Sequence, residues 1–187
     1  MRIRPLALFL LASFTANALS QAPPQPGPEH KKLAAYAGTW DAVIEMADAA
    51  TGQMQKSKGV SVVKVGPGGL WVLDHFTADF GGMPFEGQGQ TGYDPAKGKN
   101  VGTWIDAWST VPMVLEGGYD ASGKVLTLSG MAPGMDGKPV MHKLVTTDKD
   151  ANTRVFEMFL PGEGGKDMKI MTITYTRRAD GKGADKK

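Results

Sequence analysis

Two tryptophans and an aspartate alternate along one short segment of the chain, at Trp104, Asp106 and Trp108. If this segment is a β-strand, the alternation places all three side chains on one face. A carboxylate between two indoles inside a fold must be hydrogen-bonded or paired, because an isolated buried charge is very costly. The pattern predicts a ligand site in which the indoles supply apolar area and Asp106 supplies a polar contact.

Asp106 has two alternative interpretations. It could be an internal hydrogen-bonding group that fixes strand register, or a surface residue if the tryptophans point outward. If it lies inside, it should be hydrogen-bonded or paired with a cation, and the sequence offers Arg154, Arg177 and Lys143 as partners without choosing among them.

A second group of residues has metal-binding chemistry. Met131 and Met135 frame a short Pro- and Gly-containing segment that is predicted to be a loop, and His142 follows shortly after. Thioether and imidazole ligands suit Cu(I), so these three residues predict a copper site as an alternative function. The competing interpretation is that methionine, present 11 times, acts as flexible core filler.

Recognisable catalytic and nucleic-acid-binding patterns are lacking. The chain has no cysteine, no Gly-X-Ser-X-Gly elbow and no His-Glu-X-X-His motif. Basic residues do not interleave with aromatic ones as they do on nucleic-acid-binding surfaces. We therefore name no catalytic residue, no cofactor and no nucleic-acid partner, and leave an enzyme of unknown reaction as an alternative.

The elements that must position these residues are short β-runs separated by glycine- and proline-containing turns. About ten such runs follow one another from Thr39 to Arg177. Sequential strands with short connections favour an antiparallel meander. We predict an all-β, about ten-stranded up-and-down barrel, since closure removes exposed sheet edges. A β-sandwich is the main alternative.

The tripeptide Gly38-Thr39-Trp40 stands between a short helical segment, Glu29 to Ala37, and the first β-run. Glycine lets the chain turn sharply from helix into strand, and the indole can then plug the barrel floor. We therefore add Trp40, as the floor residue, to Trp104, Asp106 and Trp108 in the predicted ligand site for a small, largely apolar molecule.

The first twenty residues are typical of a secretory signal peptide. A basic start precedes an apolar run from Leu6 to Phe14, and small residues follow. The run is too short for a permanent membrane anchor. We expect a Pro-rich linker over 21–28, the barrel domain over 29–178 and a disordered tail over 179–187. The predicted protein is secreted, into the periplasm, with no cysteine for disulfides or lipid attachment.

Four motifs in this order resemble a bacterial family known as domain of unknown function 1579. They are Gly38-X-Trp40, Gly92-Tyr93-Asp94, Trp104-Ile105-Asp106 and Tyr175-X-Arg177. The resemblance covers approximately Glu29 to Arg178. It implies an exported protein with a calycin-like, lipocalin-like barrel, and it implies no established activity or catalytic residue.

The Gly-X-Trp motif is also similar, more loosely, to that of haem-binding barrels of the nitrobindin type. This resemblance implies a histidine on an inward strand face as the haem ligand. His142 is the first candidate and His75 is the second. The competing interpretation for both is a hydrogen-bonded or surface histidine. Haem binding therefore stays among the alternatives.

Overall fold

The computed structural model describes residues 22–47, 53–134 and 136–179, which form a closed ten-stranded antiparallel β-barrel. One short helix, α1 (Pro28–Ala34), precedes the strands. The strands, in chain order, are β1 (Gly38–Ala47), β2 (Met54–Val65), β3 (Trp71–Asp79), β4 (Pro84–Asp94), β5 (Lys99–Asp106), β6 (Met113–Tyr119), β7 (Val125–Pro133), β8 (Pro139–Asp148), β9 (Thr153–Pro161) and β10 (Asp167–Arg177). The predicted up-and-down barrel is confirmed, and the β-sandwich alternative is wrong.

Every strand pairs with its neighbours along the chain, and β1 pairs with β10 to close the barrel. The closing ladder runs from Trp40 opposite Arg177 to Met46 opposite Met171. Glycines with positive φ make the tight turns, as at Gly98 and Gly123. Because successive side chains alternate, each strand presents one face to the barrel interior.

Helix α1 closes one end of the barrel. Leu33 on α1 is almost fully buried, and the indole Nε1 of Trp40 donates a hydrogen bond to the carbonyl of Tyr36 at 2.9 Å. Gly38 makes the sharp connection at φ +140°, a conformation that strongly favours glycine. A Cβ there would lie 2.6 Å from Nη1 of Arg177, so the site also lacks room for a side chain.

Two strand ends differ from the sequence prediction. Strand β5 ends at Asp106 rather than continuing to Trp108, because the Asp106 carboxylate accepts the backbone N–H of Trp108 at 2.9 Å and turns the chain. Strand β7 extends to Pro133, so Met131 lies on a strand rather than in a loop. There it pairs with Met141 of β8.

Part of the predicted domain organisation falls outside the described residues. This applies to the signal peptide over 1–20 and to nearly all of the tail over 179–187. Within the predicted linker, residues 22–27 form no helix or strand and Pro28 already begins α1. No helix in the described part of the chain has the length and hydropathy of a membrane span.

Candidate functional site

The barrel encloses a cavity of about 630 Å³. It runs from Leu33 and Tyr36 near the α1 end to Val111 and Gly134, which belong to loops at the opposite end. Most wall residues are apolar and come from many different strands, including Val63, Val72, Phe76, Phe85, Leu115, Leu128, Leu144, Phe156, Met158 and Ile173. A cavity of this size and lining is typical of small-molecule sites.

Trp104 lies on the inner wall because two glycines of β4 leave room for its indole. Gly89 is the register partner of Trp104, and Gly87 is the partner of Asp106. A Cβ on Gly87 would come within 2.2 Å of the indole Cζ2, and one on Gly89 within 3.1 Å of Cε3. The two glycines, here called the glycine shelf, hold the ring against the sheet and keep the cavity open.

Asp106 joins the two tryptophans of the predicted site. Its Oδ2 accepts the indole N–H of Trp104 at 2.8 Å, and its Oδ1 accepts the backbone N–H of Trp108 at 2.9 Å. Asp106 borders the cavity, whereas its neighbour Ile105 is 53% exposed on the outer face. The carboxylate therefore fixes the orientation of the Trp104 ring and the start of the following loop.

None of the three proposed cationic partners pairs with Asp106. Lys143 pairs instead with Asp167 at 2.7 Å on the outer surface. Arg177 donates to the carbonyl of Ala37 at the α1 end of the barrel. Arg154 also lies near that end, beside Tyr36 and Trp40. The length or the wall of the barrel separates these cations from Asp106, so the carboxylate is satisfied by hydrogen bonds rather than by an ion pair.

Trp108 lies at the open end of the cavity. Its ring centroid is 5.0 Å from that of Phe80 and 4.7 Å from that of Phe85, and 53% of the residue is exposed. The three rings form an aromatic cluster that borders the cavity beside the turn from β3 to β4. Such a cluster can offer an apolar surface to a molecule entering from solvent.

Trp40 closes the barrel floor but is absent from the residues that border the cavity. Only 2% of the residue is exposed, and the guanidinium of Arg177 lies 4.0 Å from its ring centroid. The prediction of Trp40 as a direct ligand contact is therefore not supported by its position. Its indole donates to the carbonyl of Tyr36, just after α1, and packs against the guanidinium groups of Arg154 and Arg177.

A chain of hydroxyl groups lies near the floor of the cavity. Tyr119 donates to the hydroxyl of Tyr36 at 3.1 Å, and Tyr36 donates to Oδ2 of Asp148 at 3.0 Å. Burial raises the pKa of Tyr119 to about 12 and raises that of Tyr36 further, so both phenols stay protonated donors. Burial also raises the pKa of Asp148, against the lowering effect of the Tyr36 hydrogen bond.

Arg154 and Asp74 bring opposite charges to the cavity wall, and sequence reasoning did not assign them to the site. Asp74 accepts the hydroxyl of Ser61 at 2.7 Å, and burial raises its pKa despite that hydrogen bond and the nearby Arg154 charge. Asp74 alternates with the apolar residues Val72 and Phe76 along the chain, and this alternation could have placed its side chain on the inner face of the barrel. Arg154 had only been considered as a partner of Asp106.

The predicted copper ligands are not brought together. Met131 pairs with Met141 on the outer face, where both are about half exposed, whereas His142 is buried on the inner face. Adjacent strand positions point to opposite faces, so Met131 and His142 are separated by the barrel wall. Met135 lies outside the described residues. Among the described residues, no three His, Cys, Asp or Glu side chains cluster as metal ligands.

The two candidate haem histidines lie on opposite faces of the barrel. His142 borders the cavity, and its Nδ1 lies 3.1 Å from the carbonyl oxygen of Val140. His75 lies on the outer face and pairs with Glu86, with 2.9 Å between Nε2 and Oε1. The structure therefore rules out His75 as an inward ligand and leaves His142 facing the interior.

Comparisons with known proteins identify the family of this chain. A redesigned β-barrel matches with 12% identity and a TM-score of 0.43, covering 83% of this chain and 99% of its own. A structure of EF1p2_mFAP2b bound to DFHBI also matches with 12% identity and a TM-score of 0.43, covering 80% of this chain and 97% of its own.

The sequence matches no curated protein. The model of a family described as protein of unknown function, DUF1579, matches residues 25–177. The chain therefore belongs to the DUF1579 family.

Proposed function

We propose that this protein binds a small, largely apolar molecule inside its barrel. The single observation that carries the proposal is the cavity of about 630 Å³ with predominantly apolar walls. Removing about 300 Å² of apolar ligand surface from water would contribute about 7.5 kcal/mol at about 25 cal/mol per Å². After subtraction of about 4 kcal/mol, the lower estimate for the freedom lost on binding, about 3.5 kcal/mol remains, which corresponds to millimolar affinity from apolar burial alone.

Trp104 and Asp106 supply the orienting part of this site. The indole presents its face to the cavity from the glycine shelf, and its only N–H is already bonded to Asp106. The ring therefore acts as a fixed apolar wall rather than as a hydrogen-bond donor to the ligand. Replacing either residue should weaken ligand retention more than folding.

Native mass spectrometry of the protein purified from its own source tests the proposal. We expect a co-purified small molecule in the wild-type protein and its loss in Trp104→Ala. Trp71→Ala is the matched control, because that indole packs over Gly92 on the outer face of the sheet. A wild-type protein that is always free of bound molecules, with all added apolar compounds failing to bind, would refute the proposal.

A second candidate function is haem binding, favoured by one observation. Carbonyl oxygens only accept hydrogen bonds, so Nδ1 of His142 donates to Val140 and, in the neutral ring, Nε2 carries a free lone pair. Histidines that bind a metal through one ring nitrogen commonly donate a hydrogen bond from the other nitrogen to a carbonyl or carboxylate oxygen. Added haem should then give a Soret band that His142→Ala removes and His75→Ala preserves. A wild-type protein without the band excludes this function.

We also propose that the protein is exported to the periplasm, on the strength of the basic, apolar and small-residue order in its first twenty residues. The intact mass of the protein recovered from a periplasmic fraction should correspond to cleavage after Ala18 or Ser20. Recovery of the full-length chain in the cytoplasm would contradict export.

A further inference from the structure

Arg154 is a buried cation whose side chain has no hydrogen-bond acceptor within the part of the chain that the structure describes. Only 7% of the residue is exposed, and it borders the cavity. Its Nε–H has no partner, and the Arg154 side chain takes part in none of the hydrogen bonds or ion pairs found among residues 22–47, 53–134 and 136–179. A guanidinium carries five N–H donors and keeps its charge, so this arrangement leaves substantial bonding capacity unused.

Aromatic rings hold the guanidinium in place without satisfying its donors. Its central carbon lies 4.8 Å from the ring centroid of Tyr36, 4.5 Å from that of Trp40 and 4.7 Å from that of Tyr175. These cation–π contacts stabilise the charge and restrict the side chain. They do not provide the planar, two-oxygen partner that a guanidinium binds best.

The nearby protein carboxylates are already engaged elsewhere. Asp74 accepts from Ser61 and Asp148 accepts from Tyr36, and neither has an oxygen within 4.0 Å of an Arg154 nitrogen. Burial raises the pKa of both carboxyl groups, which weakens them as competitors for the cation. The protein therefore positions Arg154 in the cavity wall but leaves its ion-pairing capacity available.

The position of Arg154 also sets the orientation of a bound molecule. Arg154 is the second residue of β9 and lies near the floor, whereas the aromatic cluster of Phe80, Phe85 and Trp108 lies at the open end. The seven residues that follow Arg154 to the end of β9 span about 18 Å along the barrel axis, for a strand tilted about 40° from that axis. This length suits a medium-length hydrocarbon chain.

We propose that the cavity binds an amphipathic carboxylic acid whose carboxylate pairs with Arg154 at the floor and whose hydrocarbon chain extends past Trp104 toward the open end. This assignment rests on the proposed ligand-binding function and names the class of ligand. It explains why a cation occurs in an otherwise largely apolar wall. It also gives the floor a polar role distinct from that of Asp106, which is bonded to Trp104 and Trp108.

Three probes with the same chain test the head group: dodecanoate, dodecan-1-ol and dodecyltrimethylammonium, each titrated calorimetrically below its micelle-forming concentration or, for the alcohol, below its solubility limit. We expect dodecanoate to bind at least about tenfold more tightly than the alcohol, since charge-assisted hydrogen bonds are the strong ones. The cationic probe should bind most weakly. Arg154→Gln should remove the preference for the acid, and Arg154→Lys should keep part of it.

Lys32→Gln is the matched control. Lys32 is a cation near the same end of the barrel, over the ring of Tyr119, but it does not border the cavity. Its replacement should leave the preference for the acid unchanged. A loss equal to that of Arg154→Gln would show that general positive charge, rather than Arg154, selects the acid, and would overturn the assignment.

The remaining outcomes separate the two proposals. Equal affinity of the wild-type protein for acid and alcohol overturns the carboxylate assignment and leaves an apolar-ligand protein. Failure of all three probes overturns this inference, while the native mass spectrometry decides the broader function independently. If Arg154→Gln does not fold, the wild-type comparison and Arg154→Lys still decide the question.

Discussion

Gly87→Ala should damage the cavity through Trp104. The new Cβ would lie 2.2 Å from Cζ2 of the indole, whereas ordinary contacts begin at 3.4 Å. The ring must therefore retreat by about 1.2 Å into the space available to the ligand. That movement also stretches the 2.8 Å hydrogen bond from Trp104 to Asp106 beyond its normal range.

Two energies follow from this displacement. Overpacking costs about 1–3 kcal/mol, and weakening a hydrogen bond to a charged group adds about 1 kcal/mol, so unfolding should become easier by about 2–4 kcal/mol. Loss of about 55 Å² of apolar ligand contact is equivalent to about 1.4 kcal/mol, a tenfold loss of affinity. Urea unfolding measures the first energy, and calorimetric titration with whichever dodecyl probe binds the wild-type protein measures the second.

Gly92→Ala is the matched control, because its Cβ would lie 2.7 Å from the indole of Trp71 on the outer face of the same strand. It should lose stability by about 1–3 kcal/mol and keep wild-type ligand affinity. Gly118→Ala, with no atom within 4 Å of the new Cβ, should show no overpacking cost. Equal ligand affinity in Gly87→Ala and wild-type protein would refute the idea that the glycine shelf holds the cavity open.

Two further predictions concern the closed end and the floor. Arg177→Lys should release α1, because Arg177 donates to the carbonyls of Ala35 at 2.7 Å and Ala37 at 2.6 Å in a fork that lysine cannot reproduce. Hydrogen exchange in 28–34 should accelerate and stability should fall by about 1–2 kcal/mol, whereas unchanged exchange would contradict the role. Asp74→Asn should gain stability relative to wild type as pH rises from about 4, the ordinary pKa of an aspartate, through the raised native pKa. Burial raises the native pKa of Asp74, so the native state binds its proton more tightly than the unfolded state and the contribution of Asp74 to wild-type stability falls as pH rises. A pH-independent difference in urea unfolding between the two proteins would exclude this explanation.

The sequence by itself determined the architecture of the barrel. Alternating side chains, glycine-containing turns and the lack of intervening helices indicate a meander, and that logic depends only on residues close in the chain. For the same reason the sequence predicted that Trp104 and Asp106 share one face of β5, and in the structure both residues border the cavity. Family membership followed from four ordered motifs, and the family model covers residues 25–177.

Tertiary structure alone decided which groups meet inside the barrel. Arg154 and Asp106 were compatible as partners in the sequence, but the register and barrel closure place them near opposite ends of the cavity. The glycine shelf could not be predicted from the sequence either, because the β4–β5 pairing, rather than local sequence, determines which residues lie opposite Trp104. Likewise, Nε of Arg154 lacks a hydrogen-bond partner because none of the described strands around it places an acceptor within reach, and that depends on the whole barrel. Local patterns determine which way a side chain points, and only closure of all ten strands determines what it faces.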